Sequence, residues 1–444
     1  MTPRSLAGEL VRAALRAADG TAAVHAALQR EGQELRVAGQ RYDLGAARRV
    51  IVVGAGKASA AMAVGVEELL GDRLDDGLVI AKAGLVGRRP GRIALAEAGH
   101  PLPDLAGVQA TKRVLDLTAE LCADDLVIVL LSGGGTSLLA CPAEGVTLED
   151  LDELGDLLLA AGAPIADLNV VRKHLSGITG GQLAARAAPA RLLSLVLSDV
   201  VGDPLEVIAS GPTVADPSTF ADALAVLERH HLTGQVPAAL LASLRAGVAG
   251  ERPETPKPGD PRLARSNVQH VIIGSNALAA RAAQRRAVEL GLSATVLTTG
   301  LEGEARLVGR ALAAQLRELA LHDRPLRRPA CLIAGGETTV TLQGGCQGVG
   351  GRNQELALSA ALDLQGLRDV LLVALATDGN DGPTDGAGAM ADGATVERAR
   401  LAGLDPEARL DAHDAYPLFL ALGDLLRTGP TETNVNDLAF LIAL

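Results

Sequence analysis

Short apolar runs that end in glycine-rich turns recur along this chain and alternate with alanine- and leucine-rich amphipathic stretches. This alternation constrains the fold more than any other feature, because strands that alternate with helices form βαβ units around a parallel sheet. The chain is therefore predicted to be an α/β protein. The predicted strands are 49–56, 77–82, 126–134, 192–200, 269–276, 293–299, 330–342 and 370–379, and the predicted helices are 57–70, 107–122, 148–161, 176–186, 218–230, 277–290, 303–320 and 353–363.

The length of 444 residues predicts more than one domain, because a single hydrophobic core rarely grows to this size. The stretch 251–262 is rich in proline and charge, which is typical of a linker or an interdomain loop. We therefore expect a domain over 1–250, a linker over 251–265 and a second domain over 266–444, whose final segment is a candidate to pack back on the first domain.

The stretch VVGAGKASAAMA (52–63) ends a predicted strand and begins a helix. It fails the P-loop pattern, because Ile51 stands at the first glycine position and Ala58 follows the lysine. It also fails the dinucleotide fingerprint, because Ser59 replaces the third glycine. A lysine at a helix start opposes the helix dipole, so Lys57 is predicted either to bind an anion or to be a solvated turn residue.

Three further segments of the first half predict anion or metal chemistry. The loop Ser132-Gly133-Gly134-Gly135 has more glycines than a turn requires, which favours backbone contacts with a phosphate. Lys173, in the basic triplet 172–174, is a predicted phosphate contact or a solvated surface charge. Asp199 follows a strand end and either serves the reaction, by holding Mg²⁺ or accepting a proton, or caps a helix. His100, in the proline-bounded loop 98–104, is a ligand contact or a loop cap with equal weight.

The second half carries most of the acidic candidates. Asn276 ends a predicted strand and is a predicted substrate or phosphate ligand, and Arg352 begins a helix, where it needs an anion nearby. Glu337, Asp378 and Asp385 are the predicted magnesium ligands, since Mg²⁺ requires only one or two carboxylates. The alternative for the loop 376–389 is a solvated turn.

Composition excludes several classes of function. A net charge of −12 and an aromatic content of 1% disfavour nucleic-acid binding. The chain has no uninterrupted apolar run long enough to span a membrane, and residues 1–20 read as an amphipathic helix rather than a signal peptide. Its four cysteines form no CxxC pair and are expected to be reduced. We therefore expect a cytoplasmic protein that binds no membrane.

Taken together, these motifs resemble the class II glycerate 2-kinases, the family with the MOFRL domain. The strings that carry the resemblance are VVGAGKASAAMA, AGHPLPD, LLSGGGTSLL, LNVVRKHLSGITGGQLA, LVLSDVVGDPLEVIASGPT, GGETTVTLQG, GGRNQELAL, ATDGNDGPTDGAGA and TGPTETNVNDLAF. The resemblance implies a Rossmann-like, mostly parallel domain, a smaller α/β domain with a mixed sheet, and an active site in the cleft between them.

The same resemblance implies ATP- and Mg²⁺-dependent phosphorylation of D-glycerate to 2-phosphoglycerate. A homodimer is the predicted assembly. Lys57 and Arg352 match the family's cleft lysine and arginine, and Asp199 is the third predicted catalytic residue. Because members of the family are also labelled hydroxypyruvate reductases, NAD(P)H-dependent reduction of hydroxypyruvate is the alternative function.

Overall fold

The structure is a computed structural model that describes residues 1–84, 87–342 and 347–444. Strands account for the apolar runs within these residues, and each is only a few residues long. They are Leu28–Glu31 (β1), Glu34–Val37 (β2), Gln40–Asp43 (β3), Val50–Ala55 (β4), Asp76–Lys82 (β5), Ala94–Ala98 (β6), Leu126–Ser132 (β7), Arg191–Leu197 (β8), Gln269–Gly274 (β9), Ser293–Leu301 (β10), Ala330–Gly336 (β11), Val370–Ala376 (β12), Gly388–Ala391 (β13) and Asp437–Ala443 (β14).

Helices fill most of the segments between the strands. They are Pro3–Ala18 (α1), Gly20–Ala27 (α2), Ser59–Leu70 (α3), Leu105–Leu117 (α4), Gly135–Leu138 (α5), Leu148–Ala160 (α6), Ile165–His174 (α7), Gln182–Ala187 (α8), Phe220–Arg229 (α9), Ala238–Val248 (α10), Pro261–Ser266 (α11), Asn276–Glu289 (α12), Ala305–His322 (α13), Arg352–Leu364 (α14), Thr395–Leu401 (α15), Pro406–Asp411 (α16) and Ala415–Leu422 (α17), with 3₁₀ turns at Gly71–Arg73 and Ile208–Ser210. None of the helices in the described ranges is long and apolar enough to cross a membrane.

The chain forms two compact units, and the larger one, residues 20–273, is called the parallel-sheet unit here. Its six-stranded sheet has the order β6-β5-β4-β7-β8-β9, and the pairs from β6 through β8 are parallel. Every residue of β4 and β7 is buried, which explains why these strands are uninterrupted apolar runs. A separate three-stranded antiparallel sheet, β1-β2-β3, belongs to the same unit.

The second unit, residues 1–19 and 274–444, is called the mixed-sheet unit. Its five strands have the order β10-β11-β14-β12-β13, and β14 runs antiparallel to both of its neighbours. All seven residues of β14 are buried, so this strand lies at the centre of the sheet. Helices α13 and α14 cover the sheet through a core of leucine and alanine side chains. One mostly parallel and one mixed sheet confirm the predicted α/β fold.

The division of the chain differs from the predicted boundaries at its first helix. Helix α1 belongs to the mixed-sheet unit, where Arg4 donates to Asp424 at 2.7 Å and to Asp392 at 2.9 Å. The final segment supplies β14, the central strand of the same unit. Ion pairs and strand pairings between residues hundreds of positions apart leave no local signal in the sequence.

The segment predicted to be a linker is part of the parallel-sheet unit. Thr255 is buried and donates to Asp216 at 2.9 Å, and the Asp216 amide donates to the Pro256 carbonyl at 2.8 Å. Residues 251–265 therefore form a packed connection rather than a free linker.

Candidate active site

Two glycine-containing turns meet at the carboxyl ends of the adjacent parallel strands β4 and β7, where α/β proteins place their ligands. The Lys57 amide donates to the Gly133 carbonyl at 2.8 Å, and the Ala58 amide donates to the Ser132 hydroxyl at 3.0 Å. These bonds fix the lysine turn against the glycine loop. Ser132 is 1% exposed, so its hydroxyl serves the turn rather than a phosphate, contrary to the role predicted for it.

Asp199 faces this glycine loop. A Cβ built on Gly133 would lie 1.9 Å from the Asp199 Oδ2 atom, so only glycine allows the carboxylate this close to the loop backbone. The residue is half-buried. The structure thus brings together Asp199, Gly133 and the Lys57 turn, three of the predicted features.

His100 lies on the other side of the loop. Gly134 has a φ of +79°, and a Cβ there would lie 2.6 Å from the His100 Nε2 atom. Burial, together with the positive charges of Lys57 and Lys82, lowers the pKa of His100 to about 4. Its imidazole is therefore neutral at physiological pH and is suited to hydrogen bonding rather than to charge neutralisation. This placement favours the ligand-contact interpretation of the loop 98–104.

A hydroxyl chain that the sequence did not indicate supports the far end of the loop. The Thr136 and Ser210 hydroxyl oxygens lie 3.0 Å apart, and the Ser210 hydroxyl donates to Asn169 Oδ1 at 3.1 Å. Ala209 and Ser210 both have left-handed backbones, with φ of 51° and 56°. Ala209 also occupies the space beside Gly135, where a Cβ would lie 2.6 Å from the alanine methyl carbon. Such strained residues cluster at functional sites, because the surrounding structure must enforce them.

Lys173 is placed differently from its prediction. Lys173 is 5% exposed, and its ammonium nitrogen lies 3.5 Å from a carboxylate oxygen of Asp216. The other carboxylate oxygen of Asp216 lies 3.8 Å from His174 Nε2. Burial opposes ionisation of Asp216, but the Ser218 hydroxyl and the Lys173 charge outweigh it and lower the pKa of this carboxyl. The charge of Lys173 is therefore neutralised inside the unit, which argues against the predicted phosphate contact.

In the mixed-sheet unit, Arg352 lies at the first position of α14 and is paired with two carboxylates. It donates to Asp437 at 2.5 and 3.1 Å and lies 2.6 Å from Glu337. Although burial opposes its charge, the bonds to Asp437 raise the pKa of Arg352. The anion that this helix start requires is thus supplied by the chain itself.

Asp437 is a residue that the sequence reasoning missed as a site candidate. Burial raises its pKa to about 7, against the opposing effect of Arg352. It belongs to the tail string TGPTETNVNDLAF, which already carried the family resemblance, so the signal was present although no role had been assigned.

Two further polar side chains of this unit, Asn276 and Asp381, make hydrogen bonds that support the fold. Asn276 donates to the Val435 and Asp437 carbonyls at 2.8 and 2.9 Å, so its amide nitrogen is structural. Its Oδ1 atom is buried and has no hydrogen-bond partner among the residues that the structure describes. Asp381 accepts from the Asn353 and Gln354 amides at 3.0 and 2.8 Å and thereby caps α14.

The three predicted magnesium ligands have unequal partners. Glu337 bonds Arg352 and accepts from Asn436 at 3.2 Å. Asp385 is exposed and accepts from the Tyr416 hydroxyl at 2.7 Å, while Asp378 is half-buried and accepts from the Asn380 amide at 3.1 Å. Across the described part of the chain, no group of three or more His, Cys, Asp or Glu side chains is arranged to hold a metal ion. The three residues are therefore not a single metal cluster.

A lysine turn, a glycine loop and an aspartate thus meet at the carboxyl edge of a parallel sheet, which is where α/β enzymes place their ligands. Residues 6–245 match a family described as a domain of unknown function (DUF4147), and residues 330–437 match the MOFRL family.

Individual relatives extend this similarity over most of the chain. D-glycerate 2-kinase of Thermotoga maritima is 45% identical over 390 residues, which cover 88% of this chain and 89% of that protein. A protein of Agrobacterium vitis, provisionally named hydroxypyruvate reductase, is 44% identical over 394 residues, or 89% of this chain and 87% of that protein. The solved structure of glycerate kinase from T. maritima gives a TM-score of 0.87 at 41% identity and covers 99% of both chains. The chain belongs to the glycerate 2-kinase family, in which a DUF4147 domain is joined to a MOFRL domain, and the predicted resemblance is confirmed.

Proposed function

We propose that this chain is a glycerate 2-kinase that transfers the γ-phosphoryl group of ATP to the 2-hydroxyl of D-glycerate. The observation that carries the proposal is the 45% identity to a D-glycerate 2-kinase over nearly the full length of both proteins. The meeting of the Lys57 turn, the glycine loop and Asp199 supports it independently, since phosphoryl transfer requires positioning and charge neutralisation.

The reaction forms one bond and breaks one. The 2-hydroxyl oxygen of glycerate bonds to the γ-phosphorus while the bond from that phosphorus to the leaving ADP oxygen breaks. The hydroxyl proton passes to a base and then to solvent, so the products are 2-phosphoglycerate, ADP and one proton. Asp199 is the proposed base, because its carboxylate lies against the loop backbone where the phosphoryl group would be held.

Lys57 is proposed to neutralise the phosphoryl charge during transfer. Its backbone is fixed by the bond to the Gly133 carbonyl, so its ammonium starts from a defined position at the sheet edge. The neutral His100 is proposed to contact the same group as a hydrogen-bonding partner. Arg352, held by Asp437 and Glu337, is proposed as the family's second cationic residue, and whether it acts on the same substrate stays a prediction.

Magnesium is proposed as the metal cofactor, and the three predicted ligands differ in how many of their carboxylate oxygens are already bonded. No hydrogen bond from the described residues reaches the second carboxylate oxygen of Asp378, whereas both oxygens of Glu337 are bonded and Asp385 accepts from Tyr416. Asp378, with phosphate oxygens and water, therefore fits a Mg²⁺ ion, which binds through one or two carboxylates. When bound, Mg²⁺ would neutralise charge on the donor phosphates.

The reductase alternative is disfavoured by the geometry of the first turn. A dinucleotide site places an acid at the end of the second strand, where it binds the ribose. Strand β5 ends instead at Lys82, and the turn after β4 lacks the third glycine. A cytoplasmic location and a homodimer stay predictions.

One experiment separates the two activities. The purified protein is incubated with D-glycerate and Mg-ATP, and the product is identified by NMR as 2- or 3-phosphoglycerate; parallel samples contain hydroxypyruvate with NADH or NADPH. We expect 2-phosphoglycerate and no oxidation of either reduced cofactor. Lys57→Ala should lose at least about 100-fold in kcat/KM, the loss typical of removing one charge-stabilising group, whereas Lys112→Ala, an exposed lysine of α4, should not. Oxidation of NAD(P)H, or ADP release without phosphoglycerate, would contradict the proposal.

A further inference from the structure

A cavity of about 80 Å³ opens beside the glycine loop within the parallel-sheet unit. Thr136 and Ser137, which line it, directly follow Gly135, and Pro101, which also lines it, directly follows His100. The cavity therefore begins where the candidate active site of this unit ends. None of the residues assigned above to catalysis or metal binding lines it.

Arg172 is the cation of this cavity. It is the first member of the basic triplet 172–174 and lines this cavity, whereas Lys173 and His174 lie beside Asp216. Within residues 1–84, 87–342 and 347–444, its guanidinium has neither a hydrogen bond nor an ion pair within 4.0 Å. It packs against α6, where Gly155 leaves room: a Cβ there would lie 3.4 Å from an Arg172 nitrogen. Burial lowers the pKa of Arg172, and the charge of Asp152 only partly offsets this.

A half-buried guanidinium that has no hydrogen bond or ion pair among the described residues is costly, because its loss of hydration is only partly offset by the charge of Asp152. Thr179 also lines the cavity and is 2% exposed, and its buried hydroxyl oxygen has no hydrogen-bond partner in the described part of the chain. Within that part of the chain, Arg172 and Thr179 thus lack the partners that polar groups shielded from water normally have. An anionic ligand with hydrogen-bonding oxygens would supply them.

The remaining polar groups indicate what kind of anion fits. Asp152 on α6 lines the cavity, and burial, together with Asp156 and Glu149, raises the pKa of its carboxyl. A carboxyl and the hydroxyls of Ser137 and Ser176 suit a ligand that also carries hydroxyl groups. A phosphate dianion would be repelled by Asp152 more strongly than a singly charged carboxylate would be. Pockets for nucleotide- or drug-sized molecules are larger, at roughly 300–1,000 Å³.

We propose that this cavity is the acceptor subsite, in which Arg172 binds the carboxylate of a small hydroxy acid and Asp152 with the neighbouring hydroxyls binds its hydroxyl groups. The identity of that acid as D-glycerate rests on the proposed function. Binding at this position leaves the acid next to Thr136 and the glycine loop, so that a hydroxyl group can be presented to a phosphoryl group held there. Arg172 is in this sense a specificity-determining residue of the parallel-sheet unit.

The test measures binding and turnover separately. D-glycerate is titrated calorimetrically into the full-length protein without nucleotide, and the KM values for D-glycerate and for Mg-ATP are determined for wild type, Arg172→Gln and Arg172→Lys. The control is Arg245→Gln, an exposed arginine on α10 that does not line the cavity. Glycerol, which lacks the carboxylate, serves as the uncharged analogue.

Arg172→Gln should raise the Kd and KM for D-glycerate by roughly 10- to 100-fold, the range of a charge-assisted hydrogen bond, and leave the KM for Mg-ATP unchanged. Arg172→Lys should recover part of the loss, and glycerol should not bind. The melting temperature of Arg172→Gln should equal or exceed that of wild type, because a half-buried charge with no ion pair among the described residues is removed. If Arg172 served only to stabilise the fold, Arg172→Gln should instead lower the melting temperature.

Other outcomes would overturn the proposal. A raised KM for Mg-ATP with an unchanged KM for D-glycerate would assign Arg172 to the donor phosphates. Unchanged constants for both substrates, or a fall in melting temperature with loss of all binding in both variants, would remove the cavity from ligand binding. If wild type lacks kinase activity, the proposed function fails; calorimetric binding of D-glycerate that depends on Arg172 would still support the cavity, and its absence would overturn both.

Discussion

The contact between Asp199 and Gly133 predicts a large effect from a single methyl group. In Gly133→Ala, the new Cβ would lie 1.9 Å from Oδ2 and 2.4 Å from Cγ of Asp199, whereas real Cβ contacts essentially never fall below 3.0 Å. The carboxylate must therefore retreat by about 1 Å, since the loop backbone is held by the Lys57 amide.

The magnitude follows from the displacement. Misplacing a catalytic group by about 1 Å costs on the order of 100-fold in rate, which corresponds to about 2.7 kcal/mol of activation free energy. The half-buried aspartate can rotate away, so the free energy of unfolding should fall only by about 1 kcal/mol, the lower end for overpacking. We expect kcat to fall about 100-fold while the melting temperature changes by a few degrees.

The assay is steady-state formation of 2-phosphoglycerate, with thermal unfolding as the stability measurement. Gly234→Ala is the matched control, because this exposed glycine of the same unit has open space around its Cβ position and an ordinary φ. A double-mutant cycle gives the sharpest result: in an Asp199→Ala background the clash is gone, so Gly133→Ala should cost less than about threefold.

Two results would refute this reasoning. If Gly133→Ala keeps activity within threefold of wild type, the Asp199 carboxylate does not act from the position seen beside the loop. If the substitution costs another 100-fold in the Asp199→Ala background, the loop backbone rather than the carboxylate is responsible.

Three further predictions concern titration and metal. Because burial raises the pKa of Asp437 to about 7, protonation of this carboxyl favours the native state. Its contribution to the free energy of unfolding is complete below about pH 4 and is lost as the pH rises through 7. Urea unfolding should show this pH dependence in wild type and not in Asp437→Asn. The pKa of His100 is lowered to about 4, so its contribution to stability is present above pH 6.5 and is lost as the pH falls through 4. The free energy of unfolding should fall by roughly 1–2 kcal/mol over this range after allowance for solvent screening. His100→Gln should remove this acid sensitivity. EDTA should abolish turnover, and added Mg²⁺ should restore it. Asp378→Asn should raise the Mg²⁺ concentration needed for half-maximal activity about tenfold, whereas Asp385→Asn should not. The opposite result would make Asp385 the metal ligand instead of Asp378.

The parts of the fold that sequence predicted well are those with a local cause. Strands β4 and β7 are buried on both faces and therefore appear as uninterrupted apolar runs. The turns that follow them are marked by glycines that other side chains approach closely, as Gly133 shows. The expectation that the lysine turn and the glycine loop serve one site followed from such signals.

Other features depend on distant residues, and reasoning from sequence missed or misread them. The apolar segment 168–171 lies in α7, where Leu168 and Val171 are buried on one helical face. Lys173 meets Asp216, 43 residues further along the chain, and Arg352 meets Asp437, 85 residues away. No pattern in a single sequence announces such pairings, so lone cations looked available for ligands.

The central position of β14 has a consequence for biosynthesis. The mixed-sheet unit contains both α1, which leaves the ribosome early, and β14, whose residues follow every other strand of the sheet. At about 5–20 residues per second, roughly 20–85 s pass between the translation of Asp19 and of Ala443. The parallel-sheet unit can fold during that interval, whereas α1 must wait as an amphipathic helix without its partners. Chaperones that bind exposed apolar helices are therefore expected to bind α1 during this interval.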